Sequence, residues 1–342
     1  MQSEAPEIVP LAEVERRALE WLWPGRIPLG KLTVIAGEPG TGKSTMMTNI
    51  AARLSTGAGW PDGASGQCCQ KGDTLILSGE DDPEDTIGPR FDVNGADEHR
   101  IALLQMIRNP KVQREFELGR DIPRLEQIVK TQRPDTRMVI VDPLSAYLGG
   151  TDANDNAQLR GLLAPLAAFA AETRVAVVAI THFRKSDGSA LHRIIGSIGL
   201  VGAARMAHAV VHDPDDKERS LLLPVKCNIA RMPDGAAFRL INPEGSSVAC
   251  VHWESEPIRR SVDDVLAAGV HMEYTPSATD RAVQWLRDIL IDGPTRAKDV
   301  LASAENQEFS ERTIRNAKKL LGVQSKRLHR DGDIHWLWYM PD

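Results

Sequence analysis

A glycine-rich segment near residue 40 carries the clearest chemical signal in the sequence. It fits the phosphate-binding pattern Gly-x-x-x-x-Gly-Lys-Ser/Thr with the residues Gly37, Glu38, Pro39, Gly40, Thr41, Gly42, Lys43 and Ser44. An apolar, strand-like run precedes it at residues 31–37, and helical spacing follows at residues 44–54, as the pattern requires. Backbone N–H groups of such a loop wrap phosphate oxygens, and the helix N-terminus attracts anions.

Each polar position of this loop has a predicted task. Lys43 is expected to reach the β- and γ-phosphates, and the Ser44 hydroxyl is expected to bind Mg²⁺. The loop and Thr45 are therefore predicted to bind ATP together with Mg²⁺. The alternative, a chance glycine-rich turn, is disfavoured because strand, loop and helix follow one another in the required order.

Carboxylates follow two further apolar runs. Residues 138–141 form a buried strand that ends in Asp142, and ligands of open α/β sheets lie at the carboxyl ends of strands. Asp142 is therefore predicted to hold Mg²⁺ through water; the alternative is an aspartate that begins a turn before Pro143. Residues 74–78 lead to Glu80, Asp81 and Asp82. Glu80 is the predicted general base for the attacking water and Asp81 the weaker candidate, whereas a solvated role is expected for Asp82, Glu84 and Asp85.

A histidine follows the strand-like run at residues 175–180. His182 is predicted to contact the γ-phosphate and to report its loss to the next loop. The alternative is a structural histidine at a strand end, because histidine is often only partly buried.

The elements that must position these residues alternate between strand and helix. Strands are predicted at residues 31–37, 74–78, 101–107, 138–141, 175–180, 207–211 and 221–225, with the clearest helices at 122–130 and 157–172. This alternation predicts an α/β fold with a mainly parallel sheet and helices on both faces. Little helix separates the strands between residues 207 and 252, so that end of the sheet is expected to be antiparallel.

Composition limits the function classes. The 342 residues carry a net charge of −6, which excludes a uniformly basic nucleic-acid-binding body and requires any such role to come from a local patch. The four cysteines form no Cys-x-x-Cys pair, so neither a disulfide framework nor a zinc site is indicated. The acidic start lacks signal-peptide features, and charges interrupt the apolar residues 162–180. A cytoplasmic protein is expected.

The motifs, in their order, resemble the RecA-like hexameric ATPases, and in particular the plasmid RepA-type replicative helicases and their phage and mobile-element relatives. The resemblance covers roughly residues 21–253. Besides the phosphate loop, it rests on residues 25–30, 78–82, 141–144, 180–182, 196–197, 203–205 and 226–228. It implies a RecA-like P-loop NTPase core that assembles into a ring, with ATP bound between subunits.

The resemblance also implies roles for cations outside the loop. Arg205 resembles the arginine finger that one subunit donates to its neighbour's site, and a guanidinium suits the charge that develops on a transferring phosphoryl group. Lys226 resembles a second cation that acts across the subunit boundary, and Arg90 is expected to contact the nucleotide base. The alternative for each is an ordinary surface or ion-paired cation.

A basic loop follows His182. RecA-like rings line their central channel with such loops, and Arg184, Lys185 and Arg193 could track the phosphates of a single DNA strand. Phe183 is the only aromatic residue there that could stack on a base. The acidic segment 145–156, with Asp152 and Asp155, does not favour DNA contact.

The composition shifts near residue 255, which divides the chain into an ATPase domain (1–254), a linker (255–278) with a short helix expected at residues 262–268, and a C-terminal domain (279–342). The C-terminal domain is predicted to contain three helices, at residues 281–291, 296–304 and 310–321, and then a β-hairpin around the turn signal 331–333. This is the element order of a winged helix-turn-helix domain. The predicted DNA contacts are Arg312, Arg315, Asn316 and Lys319 on the third helix, with Lys326 and Arg327 on the wing. A winged helix used for protein contacts is the alternative.

Two hypotheses of different classes follow. The first is a ring-forming ATPase that couples ATP hydrolysis to movement on single-stranded DNA, as a replicative helicase does. The second is a regulatory or scaffold protein whose assembly on DNA is switched by ATP, without unwinding. A small-molecule P-loop kinase is disfavoured because it would not need the basic C-terminal helix.

Overall fold

The structure is a computed structural model, and it describes residues 9–62, 69–109, 112–151, 155–183, 198–273, 278–291, 293–307, 309–330 and 333–340. The chain divides into two compact units, Met1–Gly269 and Val270–Asp342. The division falls within the predicted linker.

The first unit alternates strands with helices. Its strands are β1 (Trp21–Trp23), β2 (Ile27–Pro28), β3 (Leu32–Gly37), β4 (Asp73–Ser78), β5 (Ile101–Leu103), β6 (Ile107–Asn109), β7 (Val112–Arg114), β8 (Thr136–Asp142), β9 (Ala176–His182), β10 (Met206–Asp213), β11 (Asp216–Cys227), β12 (Ala236–Ile241) and β13 (Cys250–Trp253). Its helices are α1 (Lys43–Thr56), α2 (Gly88–Val93), α3 (Leu118–Gln127), α4 (Asn156–Thr173), α5 (Ile198–Ala203) and α6 (Val262–Glu273), the last of which extends past the division.

Nine strands form one sheet in the order β13-β12-β11-β10-β3-β9-β8-β4-β5. The pairs from β10 to β5 are parallel, and the pairs from β10 to β13 are antiparallel. The prediction of a mainly parallel α/β core with an antiparallel end is therefore confirmed. It follows from the sequence because the central strands are continuous apolar runs, which only a sheet covered on both faces can bury.

Helices cover both faces of this sheet. Side chains from α3 and α4 pack with one face, and side chains from α1 and α2 pack with the other, so that the strands separate two apolar clusters. In β3 the alternation is direct, because Val34 belongs to the first cluster and Ile35 to the second. The carboxyl ends of β3, β4, β8 and β9 consequently lie along one edge of a rigid platform.

Two sequence predictions need correction. The strand predicted at residues 101–107 is two strands, because β5 ends at Leu103 and β6 pairs with β7 in a separate two-stranded hairpin. The short helix expected within the predicted linker is present as α6, but it packs on the first unit instead of serving only as a connection. Val262 and Val265 of α6 are buried in the first unit's core, and Leu266 packs beside them, since apolar residues at i, i+3 and i+4 share one helix face.

The second unit has the helices α7 (Ala278–Leu290), α8 (Ala297–Asn306) and α9 (Glu311–Leu320), and the strands β14 (Thr295–Arg296), β15 (Gln324–Arg330) and β16 (Asp333–Tyr339). The strands form a sheet in the order β14-β16-β15, in which both pairs are antiparallel. Ser310 caps α9, because its hydroxyl oxygen accepts a bond of 3.2 Å from the Thr313 N–H. Leu286, Ile314 and Trp338 are buried in this unit's own core.

Within the described residues, no helix is both long and apolar enough to cross a membrane.

Candidate nucleotide-binding site

The glycine-rich loop connects β3 to α1, the position that the sequence predicts. A Cβ atom on Gly37 would collide with the carbonyl oxygen of Val210 in the adjacent strand β10, so only glycine lets the two strands approach here. Gly42 caps α1 with a φ of 84°, a left-handed conformation that favours glycine. The loop is therefore held by backbone constraints in a shape that presents the N-terminus of α1.

Lys43 is the first residue of α1, and its side chain turns back onto the loop. Its Nζ donates hydrogen bonds to the carbonyl oxygens of Gly37 (3.1 Å) and Glu38 (2.7 Å), and only 5% of the residue is exposed. Burial lowers the pKa of Lys43, and the charges of Asp142, Glu80 and Glu38 oppose that shift. The ammonium group is thus held where phosphate oxygens would enter the loop.

Asp142 ends β8 and lies beside the start of α1. The Ser44 side chain is close enough to the Asp142 carboxylate to affect its pKa. Burial raises the pKa of Asp142; the Ser44 side chain opposes this rise, and the charge of Asp81 reinforces it. A hydroxyl and a carboxylate are hard oxygen ligands of the kind that Mg²⁺ prefers, and Mg²⁺ is usually held by one or two carboxylates together with substrate phosphates. Ser44 and Asp142 therefore fit the predicted metal site.

Among the described residues, no cluster of three or more His, Cys, Asp or Glu side chains could hold a metal on its own. A cation at Ser44 and Asp142 would need phosphate and water oxygens to complete its coordination. When bound, Mg²⁺ would neutralise charge that develops on the phosphates.

The carboxylates after β4 separate into different environments. Glu80 is exposed and lines the cleft beside the loop. Asp81 instead forms a short ion pair with Arg90 of α2, in which both side chains are partly exposed. Because the Asp81 carboxylate is already paired with Arg90, the geometry favours Glu80 over Asp81 as the group that faces a reacting water.

His182 is the last residue of β9 and lies opposite Gly37 in the parallel pairing of β9 with β3. The N–H of the following residue, Phe183, donates to the Gly37 carbonyl oxygen at 3.1 Å. His182 is exposed and lines the same cleft as Glu80. The strand pairing therefore couples His182 directly to the first glycine of the loop.

A cleft of about 580 Å³ joins these groups. Its lining contains the predicted residues Pro39, Gly40, Gly42, Lys43, Ser44, Thr45, Glu80, Arg90, Asp142 and His182. Sequence reasoning missed five further lining residues, Thr86, Leu240, Ser247, Val248 and Ala249. Four of them belong to β12 and to the segment that leads to β13. A Cβ atom on Gly42 would lie 3.1 Å from Leu240 Cδ1, so β12 packs closely over the loop.

Comparisons with known proteins agree with this site. Residues 4–188, more than half of the chain, match a protein family described as "AAA domain" (AAA_25). The chain belongs to this AAA domain family. The matched span includes the phosphate loop, Glu80, Asp142 and His182, and it ends before Arg205 and Lys226. The AAA domain of this chain therefore carries the nucleotide site of a P-loop ATPase.

Two solved structures are similar to the chain at low identity. One, described as the ATPase domain of G40P, has a TM-score of 0.45 and 13% identity, and the match covers 62% of this chain and 81% of that chain. The other, the RadB recombinase, has a TM-score of 0.43 and 15% identity, with coverage of 63% and 89%. No curated protein matches the sequence.

Arg205 and Lys226 lie beyond the matched span, at the end of the nine-stranded sheet opposite the loop. Arg205 precedes Met206, which pairs with Thr33 at the start of β3, whereas Val210 pairs with Gly37 at its end. Five strand residues place Arg205 about 16 Å from its own loop along the strand direction. Lys226 donates to the Ala204 carbonyl oxygen at 2.8 Å, and burial together with the charge of Arg205 lowers the pKa of Lys226. The two cations are thus neighbours, but the structure does not bring them to this chain's own cleft.

The predicted DNA contacts are only partly described. Arg184, Lys185 and Arg193 lie outside the described residues. Arg312 belongs to α9, and Arg327 belongs to β15. Exposed side chains occupy the other four predicted contact positions: Arg315, Asn316, Lys319 and Lys326.

Proposed function

We propose that this protein is a ring-forming ATPase that couples ATP hydrolysis to action on DNA, as a replicative helicase of the RepA type. The observation that carries the proposal is the division of the site. The phosphate loop, Glu80, Asp142 and His182 share one cleft, whereas Arg205 and Lys226 lie together at the opposite edge of the same sheet. One chain thus has the hydrolytic groups at one edge and the candidate stabilising cations at the other.

Within the cleft, each residue has a distinct chemical role. The loop and Lys43 bind the phosphates, and Ser44 and Asp142 hold the metal. Glu80 accepts a proton from the attacking water, for which a carboxylate at the open side of the cleft is suited. His182 contacts the γ-phosphate and, through the β9–β3 pairing, is linked to the loop itself.

A ring follows if the cations act on a neighbour. Repeating a contact that joins one edge of the sheet to the opposite edge of the next subunit gives a head-to-tail interface, and such interfaces close into rings when the rotation permits. Arg205 and Lys226 would then enter the neighbour's cleft, where cations stabilise the charge on the transferring phosphoryl group. The same arrangement explains why neither cation faces its own loop.

The link to DNA rests on the second unit. Three helices and an antiparallel hairpin follow one another in the order of a winged helix-turn-helix domain, and Arg315, Asn316 and Lys319 are exposed on its third helix. Cations on such a helix meet backbone phosphates, and an amide can reach a base edge. In the first unit, Arg184 and Lys185 supply the proposed contact with a single strand.

Single-stranded DNA is expected to stimulate ATP hydrolysis by the full chain, measured as phosphate release with and without a thymidine oligonucleotide. The double variant Arg184→Ala with Lys185→Ala should lose this stimulation, because it removes two phosphate-binding cations from the proposed channel loop. A matched control is Arg16→Ala with Arg17→Ala, which removes two exposed cations far along the sequence from that loop and should leave the stimulation intact. If no nucleic acid stimulates hydrolysis, the motor is excluded, and DNA binding without stimulation would point to the ATP-switched scaffold.

Mixing two inactive variants tests the ring. Lys43→Ala and Arg205→Ala should each be inactive alone, since an arginine that acts in trans contributes on the order of 10³ to 10⁵ in kcat. In an equimolar mixture, about a quarter of the interfaces of a closed ring combine an intact loop with an intact Arg205, so part of the hydrolysis should return.

The control for this mixture is Lys43→Ala together with the double variant Lys43→Ala, Arg205→Ala, in which no interface can be completed. Activity that returns only in the first mixture supports action across the subunit boundary. Equal activity in both mixtures would contradict it.

A further inference from the structure

Trp336 is the exception among the seven tryptophans of the chain. It lies on β16, and 53% of it is exposed, whereas the other six are buried or half-buried. Exposing an indole forgoes a large hydrophobic gain, because burying an aromatic side chain removes 150–250 Å² from water. The hairpin therefore leaves this side chain accessible to a ligand.

The position of Trp336 follows from the strand periodicity. Side chains two residues apart point to the same face of a strand, so Trp336 shares its face with Trp338. Trp338 is 8% exposed and packs into the core of the unit. Lys318 of α9 lies over the Trp338 ring at 4.2 Å and donates to Ser325 Oγ at 2.6 Å. Trp336 therefore lies on β16 two residues before Trp338, the position at which Lys318 of α9 contacts the hairpin.

Helix α9, which contacts the hairpin through Lys318, is cationic toward its C-terminal end. From position 315 to position 320, the charged residues of α9 are Arg315, Lys318 and Lys319. Arg315 and Lys319 are exposed, and Lys318 is fixed against the hairpin by its two contacts. The hairpin that carries this exposed π-face thus contacts a helix with several positive charges, although the whole chain has a net charge of −6. A ligand of complementary chemistry combines negative charge with a flat aromatic group.

We propose that the surface formed by Trp336, Arg315, Lys318 and Lys319 binds single-stranded nucleic acid, with an unpaired base stacked on Trp336 and the flanking phosphates near the three cations. Both faces of a base inside a duplex are already covered by its neighbours, whereas an unpaired base offers its face to an aromatic side chain. The inference deepens the proposed function, because it names the form of nucleic acid that the C-terminal unit takes.

The test uses the full-length chain and the fluorescence anisotropy of a dye-labelled thymidine oligonucleotide. Trp336→Ala should weaken binding by roughly tenfold, within the range that alanine substitution at stacked aromatics produces. Trp336→Phe should retain most of the affinity because it keeps a π-face. Ile291→Ala is the matched control, since Ile291 is an exposed apolar residue of the same unit, at 74% exposure, and should bind as the unchanged protein does. A blunt duplex of equal length should be bound with little dependence on Trp336.

The outcomes separate this inference from the proposed function. Equal affinity of Trp336→Ala and the unchanged protein for the single strand overturns the stacking surface, even if DNA stimulates hydrolysis. An equal loss for single strand and duplex also overturns it, as does a change in assembly size without a change in affinity. Binding that depends on Trp336 in a protein whose hydrolysis ignores DNA would sustain the surface and reject the motor.

Discussion

Lys43→Ala is expected to abolish productive ATP binding and to lower kcat/KM for ATP hydrolysis by about a hundredfold or more, as the loss of a preorganised donor to phosphate oxygens does. The ammonium group lies 2.7 and 3.1 Å from two carbonyl oxygens of the loop that surrounds the phosphates. Alanine removes the charge but leaves the backbone of the loop in place. Phosphate release over a range of ATP concentrations, together with direct binding of a fluorescent ATP analogue, measures the effect.

Lys130→Ala is the matched control for this change. Lys130 carries the same charge, but it is exposed, pairs with Glu126 and does not line the cleft. It should hydrolyse ATP at the unchanged rate. Since Lys43 is buried, a melting curve should accompany the kinetics to separate lost binding from lost folding. A folded Lys43→Ala protein that still hydrolysed ATP normally would refute the assignment of the loop.

The phosphate loop and its acidic partner could be predicted because local sequence determines them. Gly37 and Gly42 are required by backbone geometry, and Asp142 ends a strand too apolar to lie anywhere but in the centre of the sheet. Parallel strands align their carboxyl ends along one edge. The proximity of Asp142 to Ser44 could therefore be predicted without knowing the order of the strands in the sheet.

The remaining wall of the cleft could not be predicted in this way. Leu240 and Val248 reach the loop only because the chain reverses direction after β10 and adds β11, β12 and β13 to the sheet on the side of β10 away from β3. No local motif marks such residues, since their position depends on pairings between distant segments. A similar limit applies to Val262, whose apolar spacing predicts a helix but not the core on which the helix packs.

Arg205 illustrates how structure adds to a resemblance. The sequence alone leaves an ordinary surface cation as the alternative. The strand register adds a constraint, because Arg205 lies at the start of β10 and the loop lies beside its end. A role in this chain's own cleft would require a movement of about 16 Å along the strand, which a strand paired on both sides does not permit. The register therefore supports the proposal that Arg205 acts on a second copy of the chain.

Glu80→Gln is expected to keep ATP binding and to lower kcat by about 10² to 10⁴-fold, the usual contribution of a general base. Glutamine preserves the size of the side chain and a hydrogen-bond acceptor, but it cannot take the proton of the attacking water. A fall in kcat with little change in KM would be the signature, because only an interaction of the transition state is lost. Measuring phosphate release at saturating ATP, beside nucleotide binding by the same variant, separates the two quantities.

Two neighbours of Glu80 provide the controls, and the structure predicts a different result for each. Glu84 is an exposed carboxylate of the same acidic segment, so Glu84→Gln should hydrolyse ATP normally. Asp81 is held by Arg90 at the side of the cleft, so Asp81→Asn frees a cation that lines the nucleotide cleft and should change KM more than kcat. If Asp81→Asn lost turnover while Glu80→Gln retained it, the base would be Asp81 and the ion pair with Arg90 would have to open during catalysis. The ion pair as it stands favours Glu80, because Arg90 is already bound to the Asp81 carboxylate whereas Glu80 lines the cleft.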